Sequence, residues 1–533
     1  MASAAAAKVL GALFKIPLTN QLGGIGMGYF SCAYGLFLPI YAMSVTGLSA
    51  AVAKNTAEEA ARGCFANVRR IRSTARVLFT AMGAVLSLII FLAAKPFAIF
   101  TAGDESAWYS VLMIAPAALL GWMSAVERGY YEGLQNMYPT AISQAAEAAV
   151  KVIAGLWLSG MVLAESERVL SLFPEGTDIL SVSAAAAVLG VTISTGAGLL
   201  YFVLRNAFGD GIRRQELCCE KPESRRRLAK RLIKTMLPIA LGSVAASLTS
   251  VIDLCTVMRC LSYSQEHSTG ALVSRFGELA AEETFPAFVY GAFTGMSLTV
   301  FNLIPSVTNM FGRSVLPCAA RAWAKGRTAS LREQARSVSL AAGLIAIPAG
   351  AGLLILAEPV MQVLYSGHTE EAAIAADALC ALVPGMMCLC IISPLFSIMQ
   401  GMGRADMPVK LMLSGLSVKL LLNLLLIPQP MFAVTGAGIS TSICYGFMLV
   451  VSVYSLRKQL GGSLKLVGAM MPVIYGSVMC GGAAYLAHSL TSEYGAVLSL
   501  ASAVVSGFLM YILVLRIMGC TPSKLRESLS LRM

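Results

Sequence analysis

The chain has 533 residues, 57 % hydrophobic and only 13 % charged, with a net charge of +12 and a mean hydropathy of +0.73. A soluble domain usually carries about 25 % charge, so these figures exclude an ordinary soluble enzyme and point to an all-α polytopic membrane protein. The positive excess does not call for a nucleic-acid partner, because nearly all of it lies in the short loops between apolar segments.

Fourteen apolar segments follow one another, at about 3–22, 26–53, 77–99, 108–127, 139–163, 181–204, 235–260, 284–310, 338–360, 376–399, 409–427, 434–455, 467–487 and 495–515. Each is long enough for a membrane helix of about 20 residues, and none alternates like a transmembrane strand. No basic stretch precedes the first run, which therefore reads as a retained span rather than a cleaved signal. That span carries Lys8 and Lys15, seven residues apart and so on one helical face. A charge at mid-bilayer costs about 2.5–3.5 kcal/mol. The face should turn toward a water-filled cationic cavity, which suits an anionic substrate; Lys8 has the second option of snorkelling to the interface.

With the N-terminus placed in the cytoplasm, the inner loops are 54–76, Arg128, 205–234, 313–336, 404–410, 457–465 and the tail from Arg516. They hold about 32 of the 40 Lys and Arg, and the outer loops about two, Arg168 and Arg275. This asymmetry follows the positive-inside rule and places both termini on the cytoplasmic side. The longest basic loop, with Arg225-Arg226-Arg227, divides the chain into an N-lobe of six spans (1–204), a linker (205–234), a C-lobe of six spans (235–455), and two further spans with a tail (456–533). The loop also reads as a topology signal beside anionic lipid.

An internal repeat supports the two lobes. Residues 47–54 have a counterpart in 314–321, Lys-Pro-Phe-Ala-Ile-Phe (95–100) in Glu-Pro-Val-Met-Gln-Val-Leu-Tyr (358–365), and Glu-Gly-Leu-Gln-Asn-Met-Tyr-Pro (132–139) in Gln-Gly-Met-Gly-Arg-Ala-Asp-Met-Pro (400–408). The match sets Lys151 and Lys419 at equivalent depth in a pseudo-two-fold pair of halves, and the interface of such repeats is where transporters place their substrate.

Other charges fall inside spans. Gln144, Glu147 and Lys151 form one stripe, with Glu147 and Lys151 spaced for an i,i+4 ion pair. Lys419 and Asn423 form a second stripe, facing the cavity or snorkelling outward. Asp253 is either a partner for a first-span lysine or a cation site, and Arg259 lies near the outer end of its span. Pro17, Pro39, Pro238, Pro305, Pro348, Pro384 and Pro394 interrupt spans, as bending points or as packing kinks. His267, His368 and His488 are dispersed, and Cys218-Cys219 has no second pair to complete a zinc site. Without a phosphate loop, metal set or carboxylate dyad, no enzyme and no cofactor is expected. A membrane-embedded transferase would need a catalytic set that is missing.

Residues 9–23, Val-Leu-Gly-Ala-Leu-Phe-Lys-Ile-Pro-Leu-Thr-Asn-Gln-Leu-Gly, and 47–54, Gly-Leu-Ser-Ala-Ala-Val-Ala-Lys, resemble the stage V sporulation protein B group. So do residues 127–147, Glu-Arg-Gly-Tyr-Tyr-Glu-Gly-Leu-Gln-Asn-Met-Tyr-Pro-Thr-Ala-Ile-Ser-Gln-Ala-Ala-Glu, and Asp253. That group is a polysaccharide-transporter branch of the MOP exporter superfamily, which includes the lipid II flippase MurJ. The resemblance covers nearly the whole chain. It implies a bacterial cytoplasmic-membrane flippase, two lobes forming a V around a cationic cavity, and two extra helices forming a groove for a lipid tail. The implied substrate is an undecaprenyl-pyrophosphate-linked sugar moved to the outer leaflet for wall or polysaccharide assembly. Membrane lipids and cell-wall synthesis machinery are the implied partners, with membrane potential, H+ or Na+ as driving forces. Lys8 and Lys15 stand where the flippase offers arginines; a lysine holds a pyrophosphate as a point charge rather than a fork. The alternative is a multidrug/cation antiporter of the MATE type, which calls for free intramembrane carboxylates; here cations outnumber acids within the spans.

Overall fold

A computed structural model describes residues 2–102, 105–174, 176–208, 223–404, 406–462, 464 and 466–518, and no strand occurs among them. The helices are α1 (Ala2–Ala42), α2 (Ser49–Ala61), α3 (Phe65–Ala102), α4 (Trp108–Gly133), α5 (Tyr138–Ala164), α6 (Ser166–Leu170), α7 (Ile179–Ala207), α8 (Arg225–Phe276), α9 (Phe285–Gly291), α10 (Leu298–Ala324), α11 (Thr328–Leu364), α12 (Thr369–Gly401), α13 (Asp406–Leu426), α14 (Ala433–Leu460), α15 (Leu466–Thr491) and α16 (Ala496–Ile517). π-helical segments, Met43–Leu48 and Ala292–Ser297, join α1 to α2 and α9 to α10. Among the described residues, twelve helical runs are long and apolar enough to cross a membrane, thirteen with one bent pair. The chain is thus an all-α polytopic membrane protein.

The expected count of fourteen differs at the first two segments, 3–22 and 26–53, which run into one another. Only Gly23 breaks the run, at φ 63° and ψ −169°, a left-handed φ that glycine adopts without a Cβ clash. The expected seventh span, 235–260, is part of the much longer α8, which bends by 49° between Arg225–Val244 and Ser247–Phe276. Pro96 and Pro359 each stand thirty-one residues beyond the first residue of α3 and α11, in keeping with the repeat read at 95–100 and 358–365.

The helices pack as two units. The first comprises Met1–Arg259 and Pro286–Gly291, the second Cys260–Phe285 and Ala292–Met533. The division therefore falls inside α8, not at the basic loop, of which residues 209–222, with Cys218 and Cys219, lie outside the described residues. The reason is visible in the side chains. Leu228, Leu232, Met236 and Ala240 of α8 join Val52, Ile71, Phe79, Trp122 and Phe202 in one buried cluster. Arg231 adds polar ties: it donates to Asn55 at 2.5 Å and to the buried Glu59 at 3.0 Å, and pairs with Glu223 at 3.4 Å.

In the first unit, Gly129 and Gly133 bring α4 onto α2. A Cβ at either would collide with a backbone carbonyl, that of Ser49 or of Ala53. Small residues four apart give membrane helices this close approach. In the second unit α12 packs between α10, α11 and α14. The hairpin of α15 and α16 lies along α11, where Tyr511 donates to the Leu344 carbonyl at 3.1 Å.

Candidate functional site

The first unit contains the richer polar interior. Along α1, Phe30, Tyr34, Phe37 and Tyr41 recur at helical spacing and touch ring to ring, with centroids 5.4, 6.2 and 5.2 Å apart in turn. Phe14 meets Phe30 edge-on at 6.1 Å. At one end of this ladder stand two lysines. The Lys15 ammonium lies 5.8 Å from the Tyr34 ring centre and that of Lys151, from α5, 5.7 Å from the Phe14 ring centre. The two ammonium groups are close enough to repel one another. Lys151 has no carboxylate within ion-pair distance among the described residues.

At the other end lies Glu147. Its two oxygens accept from Tyr41 Oη at 2.9 Å and from Arg128 at 2.5 Å. Arg128, only 2 % exposed, also donates to Ser143 at 3.2 Å, which in turn donates to the Gly198 carbonyl at 3.1 Å. The expected Glu147–Lys151 pair is therefore not formed. A guanidinium from α4 and a phenol from α1 occupy the carboxylate, and charge-assisted bonds from a planar fork outcompete a flexible ammonium on the same helix. Arg128 itself, expected in an inner loop, is buried in α4. Its signal was available: Glu127, Arg128, Tyr131 and Glu132 carry polar groups at helical spacing beyond the expected end of the span at residue 127.

A second network closes the first unit near the α2–α3 turn. Glu127, 4 % exposed, is held by Arg72 through Nε at 3.1 Å and by Arg76 at 2.5 Å. Asn206 accepts from Tyr131 at 3.1 Å, and the Arg72 guanidinium lies over the Tyr130 ring at 4.0 Å. Arg76, Glu127 and Asn206 line a cavity of about 320 Å³ with Phe202 and Met123. Arg72 and Arg76, counted with a loop from the sequence, are part of α3.

The remaining candidates are dispersed. Lys8 belongs to α1, and its side chain lies outside the described residues. Asp253 is buried at 3 % exposure and lies near Tyr290 of the same unit. Arg259 is exposed and stacks on Phe100 at 4.3 Å. In the second unit Lys419 and Asn423 are both fully buried, and Asn423 accepts from Ser440; Lys419 thus does not snorkel to the surface. The histidines stand apart, His368 beside Glu371 at 3.1 Å and His488 beside Ser499 at 2.7 Å. Among the described residues no group of three metal-ligating side chains forms. An almost wholly apolar groove of about 370 Å³ runs between α11, α15 and α16, lined by Pro348, Leu353, Val504 and Phe508 among others.

Membrane-length helices with buried ion pairs and lysines gathered inside a bundle define the class, a multi-pass membrane protein with a polar interior. Residues 1–323 match the family of polysaccharide biosynthesis proteins, and the chain belongs to it; residues 292–506 match the lipid II flippase MurJ family. Among proteins of Bacillus subtilis, the chain is 23 % identical to the uncharacterized membrane protein YabM, over 96 % of this chain and 90 % of that one. It is 24 % identical to stage V sporulation protein B, over 86 % and 82 %, and 21 % identical to the lipid II flippase MurJ, over 86 % and 81 %. A structure of lipid II flippase MurJ in an inward closed conformation superposes with a TM-score of 0.69 at 13 % identity, covering 96 % of both chains. An inward-facing multidrug MATE transporter of the MOP superfamily gives 0.65 at 12 % identity, over 85 % of this chain and 94 % of that one.

Proposed function

We propose that this protein is a flippase that carries an undecaprenyl-pyrophosphate-linked sugar from the inner to the outer leaflet of a bacterial cytoplasmic membrane. The observation that carries the reading is the gathering of Lys15 and Lys151, from two helices, beside the aromatic ladder inside the membrane-spanning part of the first unit. Two ammonium groups held near one another repel, and an anion that bridges both relieves that repulsion. A pyrophosphate presents oxygens enough to bridge two point charges. Lys8 joins them as a candidate on its sequence spacing from Lys15 alone. Lys419 with Asn423, and Asp253, are the secondary positions. The apolar groove along α11, α15 and α16 has the chemistry to hold a prenyl tail while the head crosses.

The mechanism is alternating access. The head is captured from the cytoplasmic side, where both termini lie; the lobes rock, and the head is released outside. The Arg128–Glu147–Tyr41 network stabilises the α1–α4–α5 arrangement that brings the lysines together. Membrane potential, or an H+ or Na+ gradient, resets the empty carrier without a bound cofactor, and the product is consumed by cell-wall or polysaccharide synthesis. The reading is tested in proteoliposomes, where a lipid-linked precursor placed in one leaflet should become accessible to a membrane-impermeant reagent on the other side only when the protein is present. The MATE-type antiporter remains the second reading because Asp253 is a buried carboxylate. Expulsion of a cationic dye coupled to Na+ or H+, with the precursor left in place, would decide for it.

A further inference from the structure

A crevice of about 510 Å³ in the second unit lies beside the apolar groove on α11 and shares no lining residue with it. Arg275 and Phe276 from the end of α8, Leu354, Ile355 and Glu358 from α11, and Asp377 and Cys380 from α12 line it. It sits toward the end of α11 away from the basic turn that precedes Thr328. Polar and apolar surfaces share it. Arg275, Glu358 and Asp377 are all exposed, yet among the described residues no carboxylate lies within ion-pair distance of Arg275. The guanidinium is instead fixed by the backbone carbonyls of Pro430, at 3.0 Å, and Met431. Its remaining N–H groups stay available to an anion, and an arginine has five in all.

Across the crevice the groups are acceptors. Glu358 is bonded by Gln362 at 3.0 Å, and a carboxylate has room for several donors. Pro359 lacks the N–H that would ordinarily bond the Ile355 carbonyl four residues earlier, and α11 is kinked there, at Leu356 (φ −104°, ψ 17°). One turn deeper, Leu354 and Ile355 are 43 % and 39 % exposed. One crevice thus gathers a fixed cation and two carboxylates, with the Ile355 carbonyl on the helix that carries Glu358 and apolar side chains about 5 Å further along it.

We propose that this crevice binds the headgroup of a phospholipid carrying both a phosphodiester and a primary ammonium, that is, phosphatidylethanolamine. The phosphate accepts from Arg275. The ammonium donates to Glu358, Asp377 and the Ile355 carbonyl, and the acyl chains lie on Leu354 and Ile355. An anionic lipid such as phosphatidylglycerol supplies no donor cation to the two carboxylates, which repel it. Phosphatidylcholine brings a charge without N–H donors. A free soluble zwitterion leaves the apolar turn uncovered.

The test uses the full chain, extracted from nanodiscs of defined composition, with retained lipids counted by native mass spectrometry. Phosphatidylethanolamine should be retained over phosphatidylcholine by about five-fold or more, with stepwise loss along the mono- and dimethyl derivatives, a series that needs no variant. Arg275→Ala should abolish the preference. Glu358→Gln with Asp377→Asn should shift it toward phosphatidylglycerol, because the guanidinium remains. Equal retention along the methylation series, or an unchanged preference in both variants, would overturn the proposal. So would protection of the crevice only by the peptide or sugar of a lipid-linked precursor. Transport of the precursor is a separate readout, so failure here leaves the flippase reading standing, and the reverse.

Discussion

Lys151 and Lys419 are matched by the sequence repeat, and their surroundings differ. Lys151 is half-buried, lies over Phe14 and has Lys15 for a neighbour. Lys419 is wholly enclosed in the second unit, one turn from an asparagine held by Ser440. The same charge is thus gathered with a second cation in one half and sealed into packing in the other. Ion networks differ in the same sense. The first unit buries Glu127, Arg128 and Glu59 with their partners, whereas the second opens an apolar groove and a mixed crevice. The two units thus differ in chemistry, with buried ion pairs and gathered lysines in one and an apolar groove and a mixed crevice in the other.

That contrast can be broken at its strongest point first. Arg128→Ala leaves the Glu147 carboxylate with only Tyr41. Removing one partner of a buried ion pair costs about 3–5 kcal/mol, so thermal unfolding in detergent should move sharply downward. Arg128→Met with Glu147→Leu should recover most of the loss; a double variant as unstable as the single one would show that the loss does not come from leaving Glu147 buried and unpaired. Next, Lys15→Ala with Lys151→Ala should reduce precursor translocation about 100-fold, equivalent to two charge-assisted contacts of ~1.5 kcal/mol each. The unfolding midpoint should hold or rise, because two mutually repelling cations are lost. Translocation within two- to three-fold of the original would remove the main support of the proposed function.

A smaller effect is expected at the close contact of α2 and α4. Gly129→Val forces backbone apart, and overpacking of this kind costs about 1–3 kcal/mol, read as a lower unfolding midpoint. The least change is expected in the second unit. Lys419→Met keeps most of the volume, and translocation should change less than at Lys15 and Lys151. A loss equal to theirs would place the substrate against both halves and dissolve the contrast.

Helix type and membrane class were legible in the residues, because a run of some 20 apolar side chains has few ways to satisfy its backbone in lipid other than as a helix. The candidate charges were legible too, since each stands out against apolar neighbours. What they contact was not. Local spacing favoured Glu147 with Lys151, but an i,i+4 pair contributes only about 0.2–0.5 kcal/mol, too little to hold against a guanidinium brought from α4. Arg128 was hidden for a related reason: a charge just past an apolar run reads as a loop unless the next helix turns are seen to be enclosed by α2, α5 and α7.

By itself, then, the sequence determined that this chain crosses a membrane many times and that cations are concentrated within a few spans. Hydropathy and charge spacing are properties of neighbours along the chain, and they suffice for those conclusions. Only the tertiary structure decided that α8 packs with the first unit as far as Arg259, that Tyr41 and Arg128 claim Glu147, and that Lys15 and Lys151 share one place. Contacts between residues far apart in the chain depend on shape and on competition among partners, and no local pattern encodes the outcome.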